Sequence, residues 1–169
     1  MNINDIETGI TRYLQANFPS WNVVKALQNQ PKMSGKEISF YIENIENPGD
    51  DVWTDANETT GSVSYVGTRN LPLSLVFTGI GSVQSASNFL DIVRMEESVD
   101  VMKGYGFTHV TGTQPTRIPE LRGTKYVERC EMEWTIRTTS QYASDPGRIE
   151  QGSIDGQVED ITFDIEYSI

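Results

Sequence analysis

A period of two in the hydrophobic positions marks residues 126–136 as a long strand. Cys130, Met132, Trp134 and Ile136 share one parity, while charged side chains such as Glu131 fall mostly on the other. This pattern predicts one face in a core and a charged face turned to water or to a partner. Residues 117–121 precede it as an extended linker with a proline.

Spacings of three and four predict helices in two regions of the chain. The apolar residues of the first are Ile3, Ile6, Ile10, Leu14 and Phe18, with Asn4 as the expected cap and an end before Pro19. A second helix is predicted over 82–94 with Ser82 as its cap. A short third helix is predicted over 99–103, with Ser98 as its cap and Gly104 at its end.

The remaining alternating segments predict strands separated by polar loops. The predicted strands are 21–27, 36–46, 62–68, 71–78, 107–111 and 161–167, the first two forming a hairpin around Pro31. Pro72 is expected at a strand start or on a sheet edge, because it cannot donate to a ladder. Residues 47–60, 112–123 and 140–155 are predicted to be irregular.

Length and composition favour one domain, residues 1–169, that needs neither disulfides nor a structural metal. The lone Cys130 is expected to be buried. No apolar run indicates a signal peptide or a membrane span, so a soluble protein made in a cytoplasm is expected. The net charge of −11 is shared by the two ends, and no Lys/Arg cluster predicts binding to DNA or RNA.

Candidate chemistry is sparse. The Gly79-Ile80-Gly81 sequence lacks the Lys-Ser/Thr pair of a phosphate loop and is interpreted as a hinge. His109 is the single histidine and is interpreted as structural. Glu131 and Glu133 could serve a glycosidase as paired carboxylates, but charged pairs are common on solvated strands. We therefore expect no enzyme activity and no cofactor.

The two longest predicted loops are candidates for protein contact. Residues 47–60 contain Trp53, and residues 140–155 contain Tyr142 and Ile149, which are poorly suited to exposure in water. We expect one or both loops to become ordered on a neighbouring subunit, although they could also fold back on their own domain. The acidic residues of 47–60 leave calcium binding as a weaker alternative, because their spacing does not match an EF-hand.

The order of elements resembles the tail terminator, or neck terminator, proteins of long-tailed bacteriophages. The residues that carry the resemblance are 23–29 with Pro31, the helix 81–94, and Ile118-Pro119-Glu120-Leu121 followed by residues 126–130. The resemblance covers nearly the whole chain. It implies an α+β fold, a mostly antiparallel β-sheet flanked by an N-terminal helix and a central helical pair.

The resemblance also implies a function. Members of the family form rings, commonly hexameric, that cap the completed tail tube and join it to the head connector in the virion, after assembly in the host cytoplasm. The expected partners are other copies of the chain, the tail tube protein and the connector, without a membrane or sequence-specific nucleic acid. The alternatives are a tail tube or other head–tail joining protein and, in a different class, a small acidic carbohydrate-active enzyme or binding module.

Overall fold

The computed structural model describes residues 2–26, 35–53, 62–122, 124–144, 151–158 and 161–168, with the backbone alone at 53, 122 and from 142 onward. The chain divides into two compact units. The first comprises Met1–Asp51 and Gly67–Ser140, and the second comprises Val52–Val66 and Gln141–Ile169.

The elements of the described residues follow a helix–sheet–helices–sheet order. The helices are α1 (Ile3–Asn17), α2 (Ser82–Ile92) and α3 (Glu96–Gly104). The strands are β1 (Asn22–Lys25), β2 (Glu37–Ile42), β3 (Val52–Trp53), β4 (Val63–Thr78), β5 (Phe107–Gly112), β6 (Thr116–Arg117), β7 (Glu120–Arg122), β8 (Lys125–Val127), β9 (Arg129–Ser144), β10 (Gln151–Val158) and β11 (Ile161–Ser168).

The main sheet has the strand order β1-β2-β4-β9-β5, with β6 added beside β9. One face of β4 and β9 packs against residues of the helices in a single hydrophobic core. Trp134 lies at its centre, with ring centroids 5.0 Å from Phe89 and 6.0 Å from Tyr13. The predicted α+β class, with a mostly antiparallel sheet, is confirmed.

The first helix forms where its apolar stripe predicts it, but its cap is Asn2 rather than Asn4. Asn2 has extended backbone angles, and its side-chain oxygen accepts the Asn4 N–H at 3.1 Å. Asn4 lies inside the first turn, so its own N–H is the group that needs the cap. Ile10, Tyr13 and Leu14 are fully buried.

The predicted hairpin of the first two strands is wrong, because β1 and β2 are parallel. Asn22 pairs with Glu37 and Lys25 with Phe40. The chain therefore enters β2 beside the start of β1, which a tight turn cannot achieve and which parallel pairing requires. Both strands are also shorter than predicted, and most of the connection, including Pro31, lies outside the described residues.

The strands predicted over 62–68 and 71–78 form one strand, β4, so Pro72 lies in its interior. Pro72 accepts a hydrogen bond from the Glu43 N–H at 2.9 Å but has no N–H to return. The regular ladder between β2 and β4 ends one residue earlier, at Ile42 and Leu73. Pro72 thus ends the regular pairing between β2 and β4, while β4 itself continues through the proline.

The inward parity of the long strand is confirmed, because Cys130, Met132, Trp134 and Ile136 are all buried. The strand itself is interrupted at Glu128, which separates β8 from β9. The outward face is less exposed than predicted at Thr135, which is 8% exposed.

Neither serine cap of the central helices is correct. Gly81, with φ of +83°, precedes α2, and the buried Ser82 hydroxyl makes no hydrogen bond among the described residues. The third helix begins at Glu96, three residues earlier than predicted, because Glu96 and Glu97 suit the positive end of its dipole. Ser98 is therefore inside the helix, where its hydroxyl lies 3.0 Å from the Tyr13 hydroxyl.

All three of the predicted loops contain regular structure, and in 47–60 this is the short strand β3. Strand β9 continues to Ser144 and β10 begins at Gln151, so only 145–150 of the predicted loop 140–155 lies outside described elements. Residue pairs from Gln151↔Ser168 to Val158↔Ile161 join β10 to β11 as an antiparallel hairpin. Within 112–123, β6 pairs with β9 and β7 pairs with β8. The predicted strands 107–111 and 161–167 are confirmed as β5 and β11.

Candidate assembly surfaces

The three residues predicted to make protein contacts are placed only in part. Trp53 lies in β3, opposite Tyr65 of β4, and Tyr142 lies in β9. Both positions belong to the second compact unit. Ile149 lies outside the described residues. The role of all three in contacts between subunits stays a prediction.

The Gly79–Gly81 turn is held by Glu128. The Gly79 N–H donates to the Glu128 carbonyl at 2.8 Å, and the Gly81 N–H donates to the Glu128 carboxylate at 2.7 Å. This carboxylate occupies the position beside the start of α2 where a phosphate loop would bind phosphate, and like charges repel. The arrangement supports a structural turn, and it links the start of α2 to the chain between β8 and β9.

His109 forms a hydrogen bond with a core residue, and Cys130 is itself buried in the core. The Trp134 Nε1–H donates to His109 Nδ1 at 3.0 Å, which requires that nitrogen to be unprotonated. Burial lowers the pKa of His109, and the charge of Arg94 lowers it further. Burial likewise raises the pKa of the Cys130 thiol, with Glu128 adding to the effect. Both side chains fit the structural role predicted for them.

An acidic depression of about 310 Å³ lies on the sheet face opposite the core. It is lined by Glu43, Ser74, Thr113, Thr116, Ile118, Glu131, Met132 and Glu133. The Ser74 hydroxyl donates to Glu131 at 3.4 Å, and Arg129 lies 3.9 Å from the same carboxylate. Glu131 is therefore held by neighbours on its own sheet, as expected for a structural charged strand face.

A second depression, of about 430 Å³, contains two basic residues. It is lined by Thr68, Lys103, Gly106, Phe107, Thr108, Arg137, Thr138 and Thr139. Lys103 forms an ion pair with Asp100 at 3.0 Å, and Arg137 donates to the Asn70 amide oxygen at 3.0 Å. These local partners occupy both basic groups.

Residues 43–51, which we call the acidic segment, are held against β4 by several hydrogen bonds, the first from the Glu43 N–H to the Pro72 carbonyl. Glu46 and Asn70 form a backbone bridge. Asp51 accepts two hydrogen bonds from Arg69, at 2.6 and 2.7 Å, and these bonds lower the pKa of its carboxyl. The carboxylate lies so close to Gly67 that a side chain there would collide with it. Asp51, part of the loop considered for calcium, is thus paired with an arginine.

Two mostly exposed apolar side chains belong to a hairpin that the sequence did not predict. Leu121 of β7 faces Tyr126 of β8, and these side chains are 58% and 77% exposed. Ile80, in the turn held by Glu128, is 84% exposed. In the sequence, a glycine at position 123 between two short runs is the signal that could indicate such a hairpin.

Within the described ranges, no group of three or more His, Cys, Asp or Glu side chains is arranged to hold a metal ion. Among the same residues, no helix combines the length and apolar character needed to cross a bilayer.

Comparison with protein families gives a match over residues 4–166 to the phage neck terminator proteins. The chain belongs to this family. It is therefore a structural protein of the bacteriophage tail neck, and its surfaces serve contacts with other head or tail proteins. Comparison with curated proteins gave no significant match.

Membership in the neck terminator family confirms the resemblance stated from the sequence. It also gives the surfaces a context, since a neck protein acts by binding other proteins. In this neck terminator, the exposed hairpin and the acidic segment differ in charge, whereas Glu131, Lys103 and Arg137 of the two depressions have partners within the chain.

Proposed function

We propose that the chain forms a ring, commonly hexameric in this family, that caps the completed tail tube and joins the tail to the head connector. The family match over residues 4–166 is the observation that carries this proposal. The protein acts as a virion component assembled in the host cytoplasm, without enzyme activity or a cofactor, and residues 1–169 work as a single functional domain.

The charge of the chain supports this role. A ring around the path of DNA functions best with a neutral or negative inner wall, because phosphates are repelled by carboxylates. The chain carries a net charge of −11. The exposed apolar hairpin gives such a protein a contact surface beyond its own core.

Electron microscopy of the purified protein tests the proposal against its nearest alternative. A terminator must stop polymerisation on one face, so we expect single rings. Long tubes would identify a tail tube subunit instead.

Complementation provides the test in the virus. A phage lacking this gene should produce heads and tails that remain unjoined, and the protein supplied from a plasmid should restore joined particles. Normal joined particles without the gene would contradict the proposal.

A further inference from the structure

Residues 117–127, which we call the arm, start at the main sheet, where Arg117 pairs with Cys130 of β9, and continue into a small hairpin with an apolar tip. Its strands β7 and β8 pair only with each other in the sheets of the described residues. A two-stranded hairpin is marginally stable by itself in water. Leu121 and Tyr126 face each other on it and are mostly exposed, and tyrosine is enriched in protein interfaces. A second surface that covers Leu121 and Tyr126 would therefore stabilise the arm.

The arm is basic in an acidic protein. It contains Arg117, Arg122 and Lys125 against Glu120, so it carries a net charge of +2 while the other residues together carry −13. Arg117 and Lys125 are exposed. Electrostatic complementarity steers such a surface toward an acidic partner. A second copy of this chain, with its net charge of −11, is such a partner.

The acidic segment has the complementary properties. Residues 43–51 contain four acids and no base, and Arg69 pairs with one of them, Asp51. Glu43, Glu46 and Asp50 remain exposed, together with the apolar side chain of Ile45, which is 51% exposed. The segment thus offers three negative charges and one apolar contact to a basic arm with an apolar tip.

The two surfaces approach each other within one chain only at one end, where Glu43 of the segment and Ile118 of the arm line the same depression. The acidic segment is bridged to β4 at Asn70, whereas the arm is anchored through Glu128 at Gly79, just beyond the end of the same strand. Nine residues of strand span roughly 30 Å, and the three-residue strands of the arm reach only about 10 Å. The apolar tip, Leu121 and Tyr126, and the exposed Ile45 next to Glu46 thus lie toward opposite ends of β4, so a contact between these two apolar sites joins different copies.

We propose that the arm of one subunit docks on the acidic segment of the next, with Leu121 and Tyr126 against Ile45 and with Arg117 and Lys125 facing Glu43 and Glu46. Because the two surfaces differ, the contact is head-to-tail, and its repetition closes a ring when the rotation from one subunit to the next divides a full turn. This inference rests on the proposed ring and identifies the contact that builds it.

A charge-swap experiment on the full chain tests the contact. The arm variant carries Arg117→Glu and Lys125→Glu, the segment variant carries Glu43→Lys and Glu46→Lys, and a third protein carries all four changes. Association is followed by sedimentation and native mass spectrometry at about 0.15 M salt, where the Debye length is about 8 Å. Asp91→Lys with Asp100→Lys, at exposed positions on α2 and α3, is the charge-matched control for the segment variant.

We expect the arm and segment variants each to associate at least about tenfold more weakly than the native chain, since like charges then face each other. The four-fold variant should regain association, an equimolar mixture of the two variants should form mixed oligomers, and the control should assemble normally. Circular dichroism and thermal melting verify that every variant is folded.

Two results would overturn the inference in different ways. If the native chain forms rings and the arm and segment variants assemble equally well, or the folded four-fold variant fails to recover, the arm does not bind this segment and the ring function stands. If the native chain stays monomeric at every concentration, the proposed ring fails and the inference fails with it.

Discussion

Trp134 connects the aromatic core to the half-buried His109. Its ring packs edge-on against Phe89, and its N–H donates to His109. Trp134→Ala should lower the free energy of unfolding by about 3–5 kcal/mol, because it empties a large core site. Urea unfolding measures this loss. Trp134→Phe is the control, since it keeps most of the packing and loses the donor, and it should cost less. A loss below about 1 kcal/mol for the alanine variant would show that the core can close around the site.

His109 gives the fold a defined pH dependence. Burial lowers the pKa of His109 in the folded state, so the unfolded chain binds a proton first as the pH falls. The stabilisation is complete above the ordinary histidine pKa of about 6.5 and is lost below it. We expect the melting temperature to fall between pH 7.5 and 5.5.

The matched variant is His109→Gln, which keeps an acceptor for the Trp134 N–H but does not titrate in this range. Its melting temperature should change less over the same interval. Equal slopes for the two proteins would show that His109 does not carry this pH dependence.

At the residue scale, burial could be predicted and caps could not. The alternation around Trp134 specified which side chains enter the core, because a strand has a strict period of two. Capping depends on backbone angles that the residue type does not reveal, so the sequence predicts Asn4 as the cap whereas the structure has Asn2. Ser82 was chosen for its hydroxyl, whereas the left-handed Gly81 and the distant Glu128 carboxylate occupy the start of the helix.

Among the elements, the turn before α2 depends on a residue 47 positions away from Gly81. Glu128→Ala should free the Gly81 N–H and cost about 1–3 kcal/mol, as the loss of a charged acceptor does. Hydrogen exchange at the Gly81 amide should accelerate. Glu128→Gln, which retains an acceptor oxygen, should have an intermediate effect. Unchanged exchange at Gly81 in the alanine variant would argue against this contact.

The acidic segment depends on close approach to β4 at Gly67. Gly67→Ala places a methyl group against the paired Asp51 and Arg69 side chains, so we expect a loss of about 1–3 kcal/mol in thermal or urea unfolding. Gly49→Ala is the control in the same segment, because no atom lies within 4 Å of its added methyl group. It should change stability by less than about 0.5 kcal/mol. Equal effects of the two substitutions would contradict the role of Gly67.

Element types were predicted better than element connections. Local periodicity indicated α1, β5 and β11, but pairing is a tertiary property, so the parallel register of β1 and β2 was not visible in the sequence. The missing N–H of Pro72 predicts a strand start or a sheet edge, although in β4 it only removes one hydrogen bond toward β2. The polar composition of 140–155 favoured a loop, yet β9 and β10 extend into it because a paired strand needs no apolar alternation.

For the whole molecule, the order of elements was enough to indicate the family, while the surfaces were not. The sequence predicts contacts at Trp53, Tyr142 and Ile149, because these bulky side chains lie in polar segments. The arm was missed because its exposed pair, Leu121 and Tyr126, lies in two short runs without a clear period. Which side chains are exposed depends on which strands pair with each other. The pattern of a single sequence does not determine that pairing.

The distribution of charge over the molecule predicts its behaviour toward DNA. Residues 1–60 and 141–169 are both strongly acidic, and the basic residues of the arm number only three. Affinity for duplex DNA comes mainly from clustered Lys and Arg side chains, which displace counterions from the phosphates. We therefore expect no binding tighter than about 1 µM at 0.15 M salt. A gel-shift assay with random duplex DNA measures this. Repeating it with the segment variant, which adds two lysines, provides a sensitised comparison. Submicromolar binding by the native chain would show that the protein holds DNA tightly. It would contradict a ring whose inner wall repels DNA and lets it pass.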